Sequence, residues 1–401
     1  MNIIYKKQNK ININIMNIFF LVVLIPLTLP DYFQEYELLK VLSSFIIIPI
    51  FFIVIISTIL NKRFNVIIFV IIIYFLWRSL TSYFYSDNVL DLTNSVKVIT
   101  LALFINVTIK KYTRSILFSL SILFSIYIYI NFMSIYLFPN GLYIVDRPSS
   151  GTTVGWFLGI ANQFAYVIIP GLTFIILNAY YKYRKINILT WITIIISLLS
   201  LIKVWTATGI VSIFFIILLS IYISFRPNPK YTNFYMFSYI YIFIYLMIFN
   251  LEKIPPIKII VVDLLQKDLT LSFRTVIWEK ALSVIESSLI FGHGINTYVL
   301  AGEVTSFAAH NLLLQIILDS GIVGVTLILI IILISGRQLQ YNRSRAISYI
   351  ILSGVFAILV GGLAESYHIT YLLVLLIFGY NVNAIINNFD RNVGSKIYSN
   401  T

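Results

Sequence analysis

Long apolar runs dominate this chain and constrain its fold more than any other feature. Of the 401 residues, 60% are hydrophobic and only 11% are charged, whereas a soluble domain carries roughly 25% charged residues. The apolar residues come in runs of about 18 to 25, which is the length of a helix that crosses a bilayer. The sequence therefore predicts an all-α polytopic membrane protein. A barrel would instead show alternating segments of about ten residues, which this sequence lacks.

We predict twelve transmembrane helices from these runs. Their approximate bounds are 13–30, 38–60, 64–84, 92–110, 115–138, 152–179, 187–205, 208–225, 233–250, 310–335, 346–364 and 368–388. The first run follows three lysines but has no small-residue cleavage site near its end, so we expect a retained helix rather than a signal peptide. The chain has no cysteine, which excludes disulfides and thiolate metal sites.

The basic residues predict the orientation of the chain. If the N-terminus is cytoplasmic, most of the 28 basic residues fall in cytoplasmic segments, as the positive-inside rule requires. These are Lys6, Lys7, Lys10, Lys62, Arg63, Lys110, Lys111, Arg114, Lys182, Arg184, Lys185, Arg226, Lys230, Arg337, Arg343, Arg345, Arg391 and Lys396. Membrane topology thus accounts for the net charge of +13, and no nucleic-acid partner is expected. Both termini are predicted to be cytoplasmic.

The chain divides into three predicted regions. Residues 1–250 hold helices one to nine, residues 251–309 form a large extracytoplasmic loop, and residues 310–401 hold the last three helices and a cytoplasmic tail. Within the loop, residues 258–269 are apolar on one side and charged on the other, which suits a helix lying on the membrane surface. Apolar residues at helical spacing predict a further helix over residues 273–285.

One polar stretch, residues 292–324, stands out against the apolar background. His310 and Gly321 are 11 residues apart, which returns a helix to about the same face, and small residues there allow another helix to approach closely. Asp319 faces the opposite side with Gln315 near it. An acid within an apolar span usually has a partner or faces water.

The spacing of this stretch resembles a known signature. His310 and Asn311, followed by nine residues, Gly321, two residues and Gly324, resemble the motif of bacterial O-antigen ligases, which also occurs across the wider superfamily of O-antigen ligases and polymerases. The upstream segments SFRTVIWEKAL and FGHG resemble the end of the large periplasmic loop in that superfamily. The predicted topology, with about twelve spans and the long outer loop before the tenth, matches it as well.

The resemblance implies a metal-independent glycosyltransferase of the bacterial cytoplasmic (inner) membrane. Such an enzyme transfers a glycan from an undecaprenyl diphosphate carrier to a sugar hydroxyl, without a cofactor or a nucleotide sugar. The expected partners are undecaprenyl-diphosphate-linked oligosaccharide, membrane lipids, a chain-length regulator and a flippase. Fixed cations would stabilise the diphosphate leaving group, and a neutral histidine would suit the role of base toward the acceptor hydroxyl.

Candidate site residues follow from the motif and from charges inside the spans. His310 is the predicted catalytic base, although it could simply cap a helix. Arg274 matches the loop arginine of the family and is expected to act on the diphosphate, although it could instead anchor an amphipathic helix. The candidates for substrate binding are Arg147, Arg78, Lys97, Lys203, Asn311, His293 and Glu365.

Each of these binding candidates also has a structural alternative. Arg147 could pair with its neighbour Asp146, and His293 could be a turn residue. Arg78, Lys97 and Lys203 lie in the outer half of their spans, where long cationic side chains can snorkel to the interface. Glu365 could pair with one of these three cations or end its helix in water.

One position departs from the family pattern. Family members often carry an arginine at the start of the eighth span, where this chain has Gly209, and Lys203 or Arg78 could substitute for it.

The first functional hypothesis is a polysaccharide polymerase that joins lipid-linked repeat units on the outer face of the membrane. The alternative within the superfamily is a ligase that transfers glycan to lipid A-core. From another class, a repeat-unit flippase would need charged residues across the whole membrane depth and related halves.

Overall fold

The computed structural model describes residues 14–86, 90–147, 151–226, 233–248, 274–295 and 308–398. Fourteen helices lie in this part of the chain: α1 Ile15–Leu27, α2 Asp31–Gln34, α3 Glu37–Leu60, α4 Val66–Ser86, α5 Leu90–Leu137, α6 Phe164–Tyr183, α7 Ile188–Lys203, α8 Ala207–Phe225, α9 Phe234–Ile248, α10 Arg274–Ser287, α11 Leu312–Tyr341, α12 Ala346–Gly361, α13 Thr370–Tyr380 and α14 Val382–Tyr398. The predicted surface helix at 258–269 lies outside the described residues.

These helices agree with the predicted all-α polytopic membrane protein. Among the described residues, six helices are long and apolar enough to cross a membrane, or seven if the bent pair α13 and α14 forms one span. Four further apolar helices are shorter. Helix α5 has 48 residues, about 72 Å at ~1.5 Å per residue, more than twice the hydrocarbon thickness. Tyr112 interrupts it between two predicted spans, while the total of twelve spans stays a prediction.

Burial distinguishes the centre of the bundle from its periphery. In the apolar stretch of α6 that is long enough to cross a membrane, 83% of the residues are buried inside the protein, whereas in that of α3 only 11% are buried. Helix α6 packs between α5, α8 and α12, while most of the apolar side chains of α3 are exposed. Since apolar side chains that face lipid need no protein partner, α3 is a peripheral helix and α6 a central one.

A small antiparallel sheet corrects the predicted start of the sixth span. Strands β1 Tyr143–Arg147, β2 Gly151–Trp156 and β3 Gly159–Ile160 pair in sequence order, so helix α6 begins at Phe164 instead of the predicted residue 152. The β-branched residues and the tryptophan of GTTVGW favour a strand. Tyr143 lies opposite Gly155, and its ring covers the space that a side chain at Gly155 would need.

Basic segments from different parts of the chain meet at one end of the bundle. The Asn106 amide donates to the Arg63 carbonyl oxygen at 2.9 Å, and the Asn388 amide donates to the Lys110 carbonyl oxygen at 2.9 Å. At the same end Arg345 pairs with Asp390. The fold therefore collects on one side the segments that the positive-inside rule predicts to be cytoplasmic. The sheet and the His310 region lie at the opposite ends of the helices that carry these segments.

Candidate functional site

Helix α11 is interrupted at Gly321, in the middle of its apolar run. The backbone of Gly321 has φ 63° and ψ −167°, and the helix begins at Leu312 rather than at His310. The prediction of one continuous helix over 310–335, with His310 and Gly321 on a common face, is therefore wrong. Only glycine adopts this backbone conformation without strain, and a Cβ atom at Gly321 would lie 2.0 Å from the Ile290 carbonyl oxygen. The 288–294 loop thus approaches α11 at Gly321, whereas at Gly324 the neighbour is a helix, because a Cβ atom there would lie 3.5 Å from the Tyr74 ring of α4.

The interruption frees backbone carbonyls that must find other donors, because lipid offers none. The His293 N–H donates to the Leu318 carbonyl oxygen at 2.6 Å, and the Gly294 N–H donates to that of Asp319 at 3.1 Å. The indole N–H of Trp77 in α4 donates to the Ser320 carbonyl oxygen at 2.9 Å. The loop and α4 therefore complete the hydrogen bonding of α11.

Helix α10 packs on the N-terminal half of α11 through a small apolar core of its own. Ile277, Ala281, Val284 and Ile285 are buried, as the helical spacing predicts, while Val276 is exposed. The last three of these buried residues and Trp278 form a cluster with Ala309, Leu314 and Leu318. The packing fixes the start of α10, and hence Arg274, beside the segment that carries His310.

Glu365 joins two residues that lie far apart in the sequence. The Arg274 guanidinium donates through Nη2 to Glu365 Oε1, and His310 Nδ1 lies 3.2 Å from Glu365 Oε2. The Glu365 side chain is only 6% exposed, while those of Arg274 and His310 are 14% and 24% exposed. A buried carboxylate requires such charge compensation and hydrogen bonding. We refer to Arg274, His310 and Glu365 as the charged triad.

The residues around His310 hold it in place. His310 has φ 46°, a left-handed conformation that non-glycine residues seldom adopt. The preceding Ala309 N–H donates to Gln315 Oε1 at 2.9 Å. Asn311 is 1% exposed; its side-chain oxygen accepts the Leu314 N–H, and its amide donates to the Leu363 carbonyl oxygen. Asn311 is therefore a helix N-cap that ties α11 to the turn after α12, instead of a side chain that faces the cavity described next.

A cavity of about 400 Å³ lies next to the segments that carry the triad, although Arg274, His310 and Glu365 are not among the residues that line it. Ser366 lines it and accepts the backbone N–H of Asn311 at 3.2 Å, so it connects the cavity to the His310 segment. The charged and polar side chains in its wall are Asp31, Gln34, Arg78, Asn94, Lys97, Gln163, Gln315, Asp319 and His368. Within it, the Gln315 amide donates to Asp319 Oδ1 at 2.8 Å, the proximity predicted for these two residues.

The predicted binding residues fall in different places. Arg78 is buried in the cavity wall with its guanidinium 4.8 Å from the Phe75 ring centre, and Lys97 also lines the cavity. Lys203 is exposed at the end of α7, with its ammonium 5.8 Å from the Tyr136 ring centre. The structure thus brings Arg78 and Lys97 together and leaves Lys203 apart.

Of the two remaining predicted binding residues, His293 is not among the residues that line the cavity. His293 Nε2 lies 3.0 Å from the Val284 carbonyl oxygen and 3.3 Å from Ser287 Oγ, so it holds the end of α10 to the loop. Arg147 ends strand β1, and its side chain lies outside the described part of the chain.

Sequence reasoning missed two titratable residues in the cavity, Asp31 and His368. Asp31 follows Pro30 between the first two spans, and His368 stands between the last two. Burial raises the pKa of Asp31 from 3.8 to about 6, against the opposing effect of Lys97. Polar residues next to the end of a membrane span commonly lie at the membrane interface. Sequence position alone therefore does not show that Asp31 and His368 line a cavity.

The helical bundle and the candidate site together indicate a broad class of protein. It is a multi-pass helical membrane protein with a charged triad and, next to it, a cavity whose wall holds two basic and two acidic residues. Among the described residues no three His, Asp or Glu side chains are grouped as a metal site would require.

A comparison with protein families shows which family the chain is similar to. Residues 165–329 match the family described as O-antigen ligase. This match confirms the predicted resemblance and supports the superfamily of O-antigen ligases and polymerases. No curated protein matches the chain. The matched segment contains Arg274 and His310, whereas Glu365, Arg78 and Lys97 lie outside it.

Proposed function

We propose that this protein is a polysaccharide polymerase that joins undecaprenyl-diphosphate-linked repeat units, by metal-independent glycosyl transfer, on the outer face of the bacterial inner membrane. The family match supports ligase- or polymerase-type activity. The observation that carries the proposal is the charged triad beside a cavity that holds Arg78 and Lys97. These residues would supply the base and the cations that glycosyl transfer from a diphosphate needs.

The contact between His310 and Glu365 indicates which ring nitrogen of a neutral His310 would carry the proton. If the proton of neutral His310 is on Nδ1, that atom donates to Glu365 Oε2 across their 3.2 Å separation. The lone pair of Nε2 is then available for a proton from the substrate, because the second nitrogen of a neutral imidazole is an acceptor. Glu365 thereby orients the ring and stabilises the imidazolium that forms.

The reaction transfers one glycosyl unit and one proton. The acceptor hydroxyl oxygen bonds to the anomeric carbon of the donor, and the bond between that carbon and the diphosphate oxygen breaks. The hydroxyl proton passes to His310 Nε2, and the lipid diphosphate leaves with the electron pair of the broken bond. In the next step the proton is released to water, which restores the base.

The cations of the site would take separate parts in this reaction. Lys97 makes no hydrogen bond or ion pair with any residue that the structure describes, which leaves its ammonium group to a ligand in the cavity. Arg274 donates to Glu365, and a guanidinium has five N–H donors, so it can hold Glu365 and also reach a diphosphate oxygen. Arg78 adds a third positive charge in the cavity wall.

The polymerase is preferred to the ligase on composition. The chain is rich in Ile, Asn, Lys and Tyr, which resembles the composition of many proteins encoded in surface-polysaccharide gene clusters. The ligase, which uses the same donor but a lipid A-core acceptor, is the second candidate because the matched family is described as O-antigen ligase. On either proposal both termini are cytoplasmic, residues 251–309 are periplasmic, and a flippase and a chain-length regulator act alongside.

The test is assembly of glycan by the purified protein from lipid-linked repeat units of the source strain. We expect His310→Ala and His310→Gln both to lower turnover by about 10² to 10⁴, the range for loss of a general base. His293→Gln is the matched control, because the structure gives His293 a role in holding the loop; its loss should be much smaller.

Two outcomes would count against the proposal. If His310→Gln works as well as the wild type, His310 is not the base. If the wild type makes glycan only when lipid A-core is added, the ligase replaces the polymerase.

A further inference from the structure

Two titratable side chains in the cavity have no part in the proposed reaction. Asp31 opens α2 between the first two membrane helices, and His368 lies in the turn between α12 and α13. Both line the same cavity as Lys97 and Arg78. They come from opposite ends of the sequence, so the fold alone brings them together.

His368 presents an unused ring nitrogen to the cavity. Its Nδ1 atom lies 2.8 Å from Thr370 Oγ1, and its ring centre lies 6.3 Å from that of Tyr166. His368 is exposed, and its side chain lines the cavity. Its Nε2 atom makes no hydrogen bond to any residue within the described ranges. A ligand in the cavity can therefore supply the missing hydrogen bond.

Asp31 presents a carboxylate oxygen to the cavity in a similar way. Oδ1 accepts a hydrogen bond from the Gln34 amide at 3.1 Å. Oδ2 has no donor among the described residues and lies against Gly159, where a Cβ atom would come within 2.7 Å of it and within 2.5 Å of Gln163 Oε1. Gly159 has φ 114°, which also favours glycine. The bare backbone at this position leaves room for the carboxylate and for Gln163.

The chemistry of these groups indicates the kind of ligand. A carboxylate oxygen accepts hydrogen bonds, and a histidine nitrogen can do the same, so both suit the hydroxyls of a sugar. A diphosphate is repelled by a carboxylate, so Asp31 suits the hydroxyls of the sugar better than the diphosphate that Lys97 and Arg78 would hold. The rings of Tyr127, Tyr166 and Tyr371 add aromatic surface to the wall. The volume of about 400 Å³ lies within the ~300–1,000 Å³ of ligand sites.

We infer that Asp31 and His368 form a sugar-binding subsite for the first sugar of the donor, the one bonded directly to the diphosphate. This inference rests on the proposed function. A diphosphate held by Lys97 and Arg78 places its attached sugar a bond or two away, in the same cavity. Asp31 and His368 then recognise that sugar through its hydroxyls, and they determine which lipid-linked glycan the enzyme accepts.

The experiment compares the binding of two lipids to the purified protein. The probes are undecaprenyl diphosphate without sugar and the lipid-linked repeat unit isolated from the source strain. We expect the wild type to bind the sugar-bearing lipid about tenfold or more tightly, since hydrogen bonds to charged groups contribute at least that much. Asp31→Asn, His368→Gln and the double variant should bring the two affinities together, and none of them should weaken the binding of undecaprenyl diphosphate.

The outcomes separate this inference from the proposed function. If the variants lose affinity for both lipids equally, or for neither, Asp31 and His368 do not form a sugar subsite. If the wild type binds neither lipid, the proposed function itself falls. Lys203→Gln is the matched control outside the cavity and should bind both lipids as the wild type does. Glutamine at position 368 can still bond Thr370, which guards against a variant that only misfolds.

Discussion

Two arginine–carboxylate pairs occupy opposite ends of the bundle and differ in almost every other respect. Arg274 and Glu365 are 14% and 6% exposed, and Glu365 also bonds His310. Arg345 and Asp390 are 40% and 51% exposed, and one nitrogen of Arg345 donates to both carboxylate oxygens of Asp390 at 2.5 and 2.6 Å. The first pair is desolvated and bonded to a third residue, whereas the second is open to water.

The difference shows what each pair can do. An exposed pair contributes little to stability because water and salt compete with it. A buried pair costs desolvation free energy that its attraction seldom exceeds, yet losing one partner leaves a charge stranded. Burial of Arg274 and Glu365 is therefore poor evidence for a stabilising role. Their contact with His310 next to the cavity is consistent with the proposed catalytic role.

The largest expected effect comes from removing the shared carboxylate. Glu365→Ala leaves Arg274 buried without compensation and should destabilise the protein by about 3–5 kcal/mol. Glu365→Gln keeps the shape and one acceptor, so it should fold better while losing most glycan assembly. Thermal unfolding in detergent and assembly from lipid-linked repeat units measure the two effects. An active Glu365→Gln variant would remove the carboxylate from the mechanism.

The second effect tests whether Arg274 acts as a charge or as a guanidinium. Arg274→Ala should abolish most assembly, while Arg274→Lys should recover part of it if charge alone matters, and little if the planar donor group is required. The double variant Arg274→Gln, Glu365→Gln should be more stable than Arg274→Gln alone and equally inactive. If the double variant is no more stable, the two residues are not energetically coupled.

The smallest expected effect is at the exposed pair. Arg345→Ala and Asp390→Ala should each lower stability by about 0.2–1 kcal/mol, with a smaller difference from wild type at high salt because exposed charges are screened. Glycan assembly should not change. The same two measurements used for Glu365 check this. A loss of activity comparable to that of Arg274→Ala would show that the exposed pair matters for glycan assembly as much as the buried pair does.

Much of the helical architecture could be predicted from the sequence, because membrane length and apolar runs determine helices directly. The strands at 143–160 could not, since GTTVGW joins the apolar run before α6 and only its pairing with β1 distinguishes it. The break at Gly321 was also missed. A glycine in an apolar span is common, and what opens this one is the loop that packs against it.

Individual residues of the candidate site could be predicted from the sequence, but their contacts with one another could not. His310 and Arg274 follow from the motif, and Glu365 was expected to pair with a cation of the spans. Its actual partners could not be inferred, because positions 274, 310 and 365 meet only through the packing of α10 on α11 and the contacts of Asn311 with the turn after α12. Lys203 shows the opposite failure: like Lys97 it is a cation in the predicted outer half of a span, yet it is exposed and does not line the cavity.

The interruption at Gly321 has a consequence for how the protein is made. The carbonyls of Leu318, Asp319 and Ser320 find their donors in Trp77 and in the 293–294 backbone. All of these donors leave the ribosome before α11 does. The N-terminal half of α11 therefore completes its hydrogen bonds only with segments that are synthesised before it, so its folding depends on the earlier placement of α4 and of the 293–294 backbone.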